Sequence, residues 1–210
     1  AGDFKNLEDA AELLVDVSSQ TGKTAKDFKQ LSDVMVATAD TSTTSAQQLA
    51  FGYKYSATLA KEMGTEFKET SAALALLTNN GIKGESAGTA LRGIMMSLLN
   101  PTNEAEKLFK KLGFNLEELN PAANGLIPAL SKLQEKAISM PDLAALFGTE
   151  GATAASILTK QYDKLGGMID KIGDSAGITD RKSKVMSDNL KAAIASIGSA
   201  AEAAAVEISD

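Results

Sequence analysis

The chain predicts an all-α fold, an irregular multi-helix bundle of short amphipathic helices with a longer C-terminal helix. Three observations carry that expectation. Apolar residues recur at helical spacing along most of the length. Capping residues and glycines punctuate those stripes. No convincing strand pair, internal repeat or low-complexity linker interrupts them. The stretch AALALLTNNGIKGESAGTALRGIMMSLLNP, residues 72–101, holds all the signals: an apolar helix, a glycine corner, a second apolar helix and a stop.

Taken in order, Leu7, Ala11 and Leu14 mark an opening helix that ends near Gln20-Thr21-Gly22. Thr24 is positioned to cap the next helix, with Asp27 in its first turn and Phe28, Leu31, Val34 and Met35 on one face. The polar run DTSTTS (40–45) is a loop, and Thr44 with Gln47 makes a capping box. Leu49, Ala50, Tyr53, Ala57 and Ala60 then form one side of a helix that runs to Gly64, and Thr65 begins the next. Asn79-Asn80-Gly81 supplies residues that tolerate positive φ. Gly84 and Gly88 flank Ser86, the expected N-cap of a helix with the stripe Ala87, Ala90, Leu91, Ile94, Met95 and Leu98. Asn100-Pro101 ends it, since the residue before proline avoids helical torsions.

Ala105, Leu108, Phe109 and Leu112 predict a short amphipathic helix closed by Gly113. Residues 114–125 read as irregular with about one helical turn, on their turn signals and Pro121. Leu126, Leu130, Leu133 and Ala137 give another helix with Pro128 in its first turn. Pro141 starts a short helix that ends at Gly148. Ile157, Leu158, Tyr162, Leu165, Met168, Ile169 and Ile172 make a strong stripe weakened by Gly166-Gly167. At the end, Leu190, Ile194, Ile197, Ala201, Ala204 and Ile208 are spaced 4, 3, 4, 3, 4, as in a coiled-coil seam. A single amphipathic helix docked on a core fits the same residues. The expected organisation is a helical module over 1–180 and a C-terminal helix over 181–210. The chain begins at Ala1-Gly2 without methionine and stops within a helical pattern, which reads as a piece of something longer.

Composition narrows the chemistry. The 210 residues carry net charge −6, which argues against the phosphate backbone of a nucleic acid as a stable partner. There is no cysteine and no histidine, so thiolate metal sites, the usual general base near neutral pH and the commonest metal ligand are missing. No apolar run approaches the roughly 18–20 residues of a membrane-spanning helix. Gly22-Lys23-Thr24 is not a phosphate loop: Val17 stands where the motif needs a glycine. Gly81, Gly84 and Gly88 do not match a dinucleotide-binding spacing, and a tight interhelical turn explains them. Glu117 and Glu118, Glu104 and Glu106, and Asp170 and Asp174 read as solvated carboxylates, with Asn115–Glu118 and Asn103–Glu106 as capping pairs. Met95 and Met96 read as core packing. No catalytic, cofactor-binding or metal-ligating residues are expected, and the chain is not expected to be an enzyme.

The runs NNGIKGESAGTALRG (79–93) and LLNPTNEAEKLFKKLG (98–113) resemble the conserved core region of phage tail tape measure proteins. The resemblance extends to YKYSATLAKEM (53–63), Leu146-Phe147-Gly148 followed by Gly151-Ala152, and MSDNLK (186–191). It implies a helical module of a phage or prophage virion protein, made in the host cytoplasm and housed in the lumen of the tail. Such proteins set tail length, take part in tail assembly around them and leave during genome ejection. The implied partners are tail tube proteins, tail-tip or chaperone proteins, further copies through the C-terminal helix, and transiently the host envelope. Within the matching motifs, the residues expected to matter structurally are Gly81, Gly84, Gly88, Arg92, Pro101 and Gly148. Arg92 lies near a helix N-terminus, where the dipole disfavours a cation, so a specific partner for it is expected. Two other readings start from the same residues: a membrane-active amphipathic helical protein, and a non-catalytic part of a cell-wall-degrading tail enzyme.

Overall fold

The computed structural model describes residues 7–185 and 187. They fall into two compact units, Ala1–Ala176 and Gly177–Asp210. In the second unit, the described residues from 178 onward are helical. The seam residues Leu190 to Ile208 lie outside the described residues.

The first unit is all-α. In chain order its elements are α1 (Leu7–Thr21), a single 3₁₀ turn (Ala25–Asp27), α2 (Phe28–Asp40), α3 (Ala46–Glu62), α4 (Phe67–Asn79) and α5 (Gly84–Leu99). There follow α6 (Asn103–Lys111), α7 (Leu116–Leu119), α8 (Pro121–Asn124), α9 (Leu126–Gln134), α10 (Met140–Lys160) and α11 (Tyr162–Gly173).

α4 is the axis of the unit. Every residue from Thr70 to Thr78 is buried, as expected of a helix apolar on all sides. It touches α2, α3, α5, α10 and α11. Three hydroxyls on it would be orphaned in such a core, and each donates back along the helix: Thr70 to the Glu66 carbonyl (3.3 Å), Ser71 to Phe67 (2.8 Å), Thr78 to Leu74 (2.9 Å). Thr38, Ser56 and Thr159 do the same from α2, α3 and α10. The α5 stripe Ala87, Ala90, Leu91, Ile94, Met95 and Leu98 is buried as its spacing predicts, and α5 stops at Leu99 ahead of Asn100-Pro101. Met96, one residue off the stripe, is 40% exposed.

Several boundaries fall elsewhere than the sequence predicts. The cap of α3 is Ser45, whose hydroxyl accepts the Gln48 N–H (3.1 Å). Thr44 is instead buried and its hydroxyl donates to the Ser45 carbonyl. The Thr24 hydroxyl does not cap a helix; it donates to the Asp27 carboxylate (3.0 Å), across the 3₁₀ turn that precedes α2. α4 starts at Phe67 because Glu66 and Glu69 form its capping box, while the Thr65 N–H closes the previous helix on the Ala60 carbonyl. Ser86 lies inside α5, since the backbone is extended only as far as Lys83 (φ −114, ψ 155). Thr102, not Asn103, caps α6, and Glu106 pairs with Lys110 at 3.7 Å. Asn115 is a cap, accepting from the Glu117 N–H. Residues 114–125 hold two single-turn helices, α7 and α8, rather than one. Ala137 is exposed beyond the end of α9. The Gly166-Gly167 pair lies within α11, and the break falls at Gln161, where the Lys160 helix ends.

Candidate functional site

The motif residues concentrate where α4 turns into α5 and where α5 crosses α3. α4 ends on a paired closure: the Gly81 N–H donates to the Thr78 carbonyl (3.0 Å) and the Ile82 N–H to Leu77 (3.0 Å). That closure needs a left-handed residue, and Gly81 supplies φ +91. Asn79 and Asn80 do not share this role; no residue other than glycine has positive φ among the described ones. Their side chains act as ties instead. Asn79 Oδ1 accepts from the Thr43 N–H (2.8 Å), which fixes the α2–α3 loop. Asn80 Oδ1 accepts from Gln161 Nε2 (2.7 Å) at the α10–α11 corner, while its Nδ2 donates to the Leu76 carbonyl (2.8 Å). One helix end thus clamps two other connections.

Gly84 has positive φ where the corner enters α5, whereas Gly88 lies inside the helix and is not a turn residue. Gly84 opens α5 with φ +52, and a Cβ there would sit 3.3 Å from Gln48 Oε1. Gly88 lies inside α5, where a Cβ would overlap the Gly52 carbonyl oxygen and come within 2.9 Å of that residue's Cα and carbonyl carbon. Gly84 over Gln48 and Gly88 over Gly52 advance four residues together, so α3 and α5 run in the same direction. Their contact is the most extensive in the unit. Gly52 also faces α4, since a Cβ there would touch the Leu74 methyls at 3.0 Å. The backbones of α3 and α5 therefore meet at Gly52 and Gly88, with the Leu74 side chain of α4 packed against Gly52, and only hydrogen fits between the two glycines. Gly52 escaped the sequence reading; the available signal was its spacing from Ser56, which matches that of Gly84 from Gly88.

Beside the crossing, Tyr53 is buried and stacks on Phe67, with ring centroids 4.7 Å apart. Its hydroxyl donates to the Phe67 carbonyl (3.1 Å) and shares a hydrogen bond with Ser71. Burial pushes the phenol well above its ordinary range. Tyr55 is also raised, chiefly by the Glu85 carboxylate beside it, a polar contact between α3 and α5. Two carboxylates shift in opposite directions. Hydrogen bonds from Thr24 hold Asp27 low. Burial raises Glu69, against the lowering bond from Glu66.

The remaining motif residues stand apart. Arg92 is exposed and makes no hydrogen bond or ion pair with a described residue, so the expected partner is not among them. Solvent carries that charge beyond the first turn of α5. Pro101 lies past the far end of α5. Gly148 breaks α10 with φ 73 and ψ 169. Glu104, Glu117, Glu118, Asp170 and Asp174 are exposed. Among the described residues no three acidic side chains gather where a metal ion could be held. No helix among them is long and apolar enough to cross a membrane. What this arrangement does is hold helices at close range.

Comparison with known proteins places these features in a family. Residues 1–143 match the family described as phage-related minor tail protein. The chain is 27% identical over 192 residues to the tape measure protein of Pneumococcus phage Dp-1, covering 88% of this chain and 17% of that protein. It is 25% identical over 218 residues to the probable tape measure protein of Escherichia phage P2, covering 98% and 26% respectively. The chain thus spans about a quarter or less of the length of these two relatives. No solved structure matches it. With a match that runs through the glycine corner, the α3–α5 crossing and Pro101, the chain belongs to the phage-related minor tail protein family.

Proposed function

We propose that this chain is a non-catalytic helical module of a tape measure protein in a long-tailed phage or prophage. It contributes there to tail length determination, tail assembly and genome ejection. The observation that carries this reading is the pair of tape measure relatives aligned along 88% and 98% of the chain. The packing supports it: the motif residues at the α4–α5 corner serve helix closure and helix crossing, and none of them faces a cluster of reactive groups. The module works in the tail lumen after synthesis in the host cytoplasm. It meets tail tube subunits and tail-tip or chaperone proteins, with self-association through residues 181–210 and transient contact with the host envelope. The rest of the parent protein supplies length, at about 1.5 Å per helical residue.

The test is an in-frame deletion of the codons for residues 1–176 in a phage that carries them. Electron microscopy is expected to find tails missing or of abnormal length. Infectious particles with tails of normal length would sink the proposal.

A further inference from the structure

Residues 101–147 are bounded at both ends by a break in the helical backbone. On one side Asn100 leaves α5 in a non-helical conformation (φ −133, ψ 71) and Pro101 lacks an N–H to continue the ladder. On the other, Gly148 takes φ 73 and ψ 169, a region essentially confined to glycine, and interrupts α10. Nothing lies within 4 Å of a Cβ built at Gly148, so neighbouring side chains do not wedge this break in place.

Between the two breaks the segment has an apolar cluster of its own. The Phe109 ring packs edge-on against Phe114 (centroids 6.0 Å apart) and Phe147 (6.2 Å). Lys136 Nζ lies 5.3 Å over the Phe114 ring and donates to the Gly113 carbonyl (3.2 Å). α7, α8 and α9 pack on one another, and α6 packs on α7 and α10. Every side-chain hydrogen bond and ion pair made by residues 101–147 with described residues stays inside the segment. The rest of the unit is different: Asn79–Thr43, Asn80–Gln161 and Tyr53–Ser71 tie separate elements together by polar contacts. The segment meets the remainder where α8 contacts α5 and α9 contacts α11, with Leu126, Ala129, Leu130 and Leu133 of α9 buried.

We infer that residues 101–147 open and close as one cooperative unit about Pro101 and Gly148, while α1–α5, the part of α10 after Gly148 and α11 stay folded. A seam without polar ties, joined by two backbone breaks, separates at lower free energy than the axis around α4. Opening uncovers the faces of α5 and α11 beneath α8 and α9.

Native-state hydrogen exchange of the chain in rising urea, read by mass spectrometry, tests it. Amides of α6 and α9 are expected to merge into a common opening at low urea, while α4 exchanges only with global unfolding. A single shared isotherm for α4, α6 and α9 overturns the proposal. Gly148→Ala is expected to speed exchange in α6 and α9 by about tenfold or more, because an L side chain resists that backbone region, and to leave α4 unchanged. Equal acceleration in all three helices, or none, also overturns it. Should the variant fail to fold, the unsubstituted chain's isotherms decide.

Discussion

At the residue scale, Gly88 is dictated by its neighbour and not by its own torsions. Its missing side chain lets the α5 backbone meet the Gly52 carbonyl, and backbone cannot swing aside as a side chain would. Gly88→Ala is therefore expected to destabilise the fold by about 1–3 kcal/mol in urea unfolding, the usual range for overpacking. Gly93 is the control: it lies inside the same helix with nothing within 4 Å of a Cβ. Gly93→Ala should instead raise stability by about 0.5–1 kcal/mol, because alanine restricts the unfolded chain and favours helix. Equal effects at the two positions would refute the crossing. Tyr53 gives a pH test. Its phenol is raised in the folded state, so the protection is complete below the ordinary value of 10.0 and is lost as pH rises above it. Alkaline unfolding should thus accompany the tyrosinate absorbance change. Tyr53→Phe should cost about 1 kcal/mol at neutral pH and flatten that alkaline loss. The sequence flagged Gly88 but read it as part of a turn, because nothing local distinguishes a glycine needed for torsion from one needed for space.

At the scale of elements, closures were legible and starts were less so. Gly22, Gly64, Gly81 and Gly113 each follow a helix with positive φ, and each stands where the sequence puts a helix end. The reason is local: the last carbonyls of a helix are closed by a left-handed residue, and glycine takes that region without penalty. Helix starts fell one to three residues from the expected caps because several polar candidates stand near one another, and backbone direction chooses among them. Ser45→Ala should cost about 1 kcal/mol in thermal or urea unfolding, whereas Thr44 carries no cap to lose. Gly166 and Gly167 lie within α11 with open space around each. Replacing both by alanine is expected to add about 1–2 kcal/mol, from helix propensity alone. A loss of stability would show that the pair is needed for a bend the structure does not contain.

For the whole molecule, stability rests on α4 and the helices wrapped around it. Leu76 on that axis is fully buried, and Leu76→Ala should cost about 2–5 kcal/mol as a cavity opens in a core that cannot fully collapse. The all-α class and the buried stripes of α5 and α9 were readable from the sequence, because period and punctuation report which face of a helix must leave water. The family was readable too, from the run through the glycine corner and Pro101 that lies inside the matched residues. Asn79 and Asn80 mark the limit: the sequence placed them at a turn, but their bonds go to Thr43 and Gln161, 36 and 81 residues away. Sequence by itself determined the helical class, most of the closures and the lack of histidine and cysteine chemistry, since each depends on a residue's type or its near neighbours. Tertiary structure alone decided that α3 and α5 run side by side in the same direction, that Gly52 faces Gly88, and that Arg92 stays in solvent. Those outcomes depend on which surfaces meet after the chain has turned twice, and no spacing along the chain encodes that encounter.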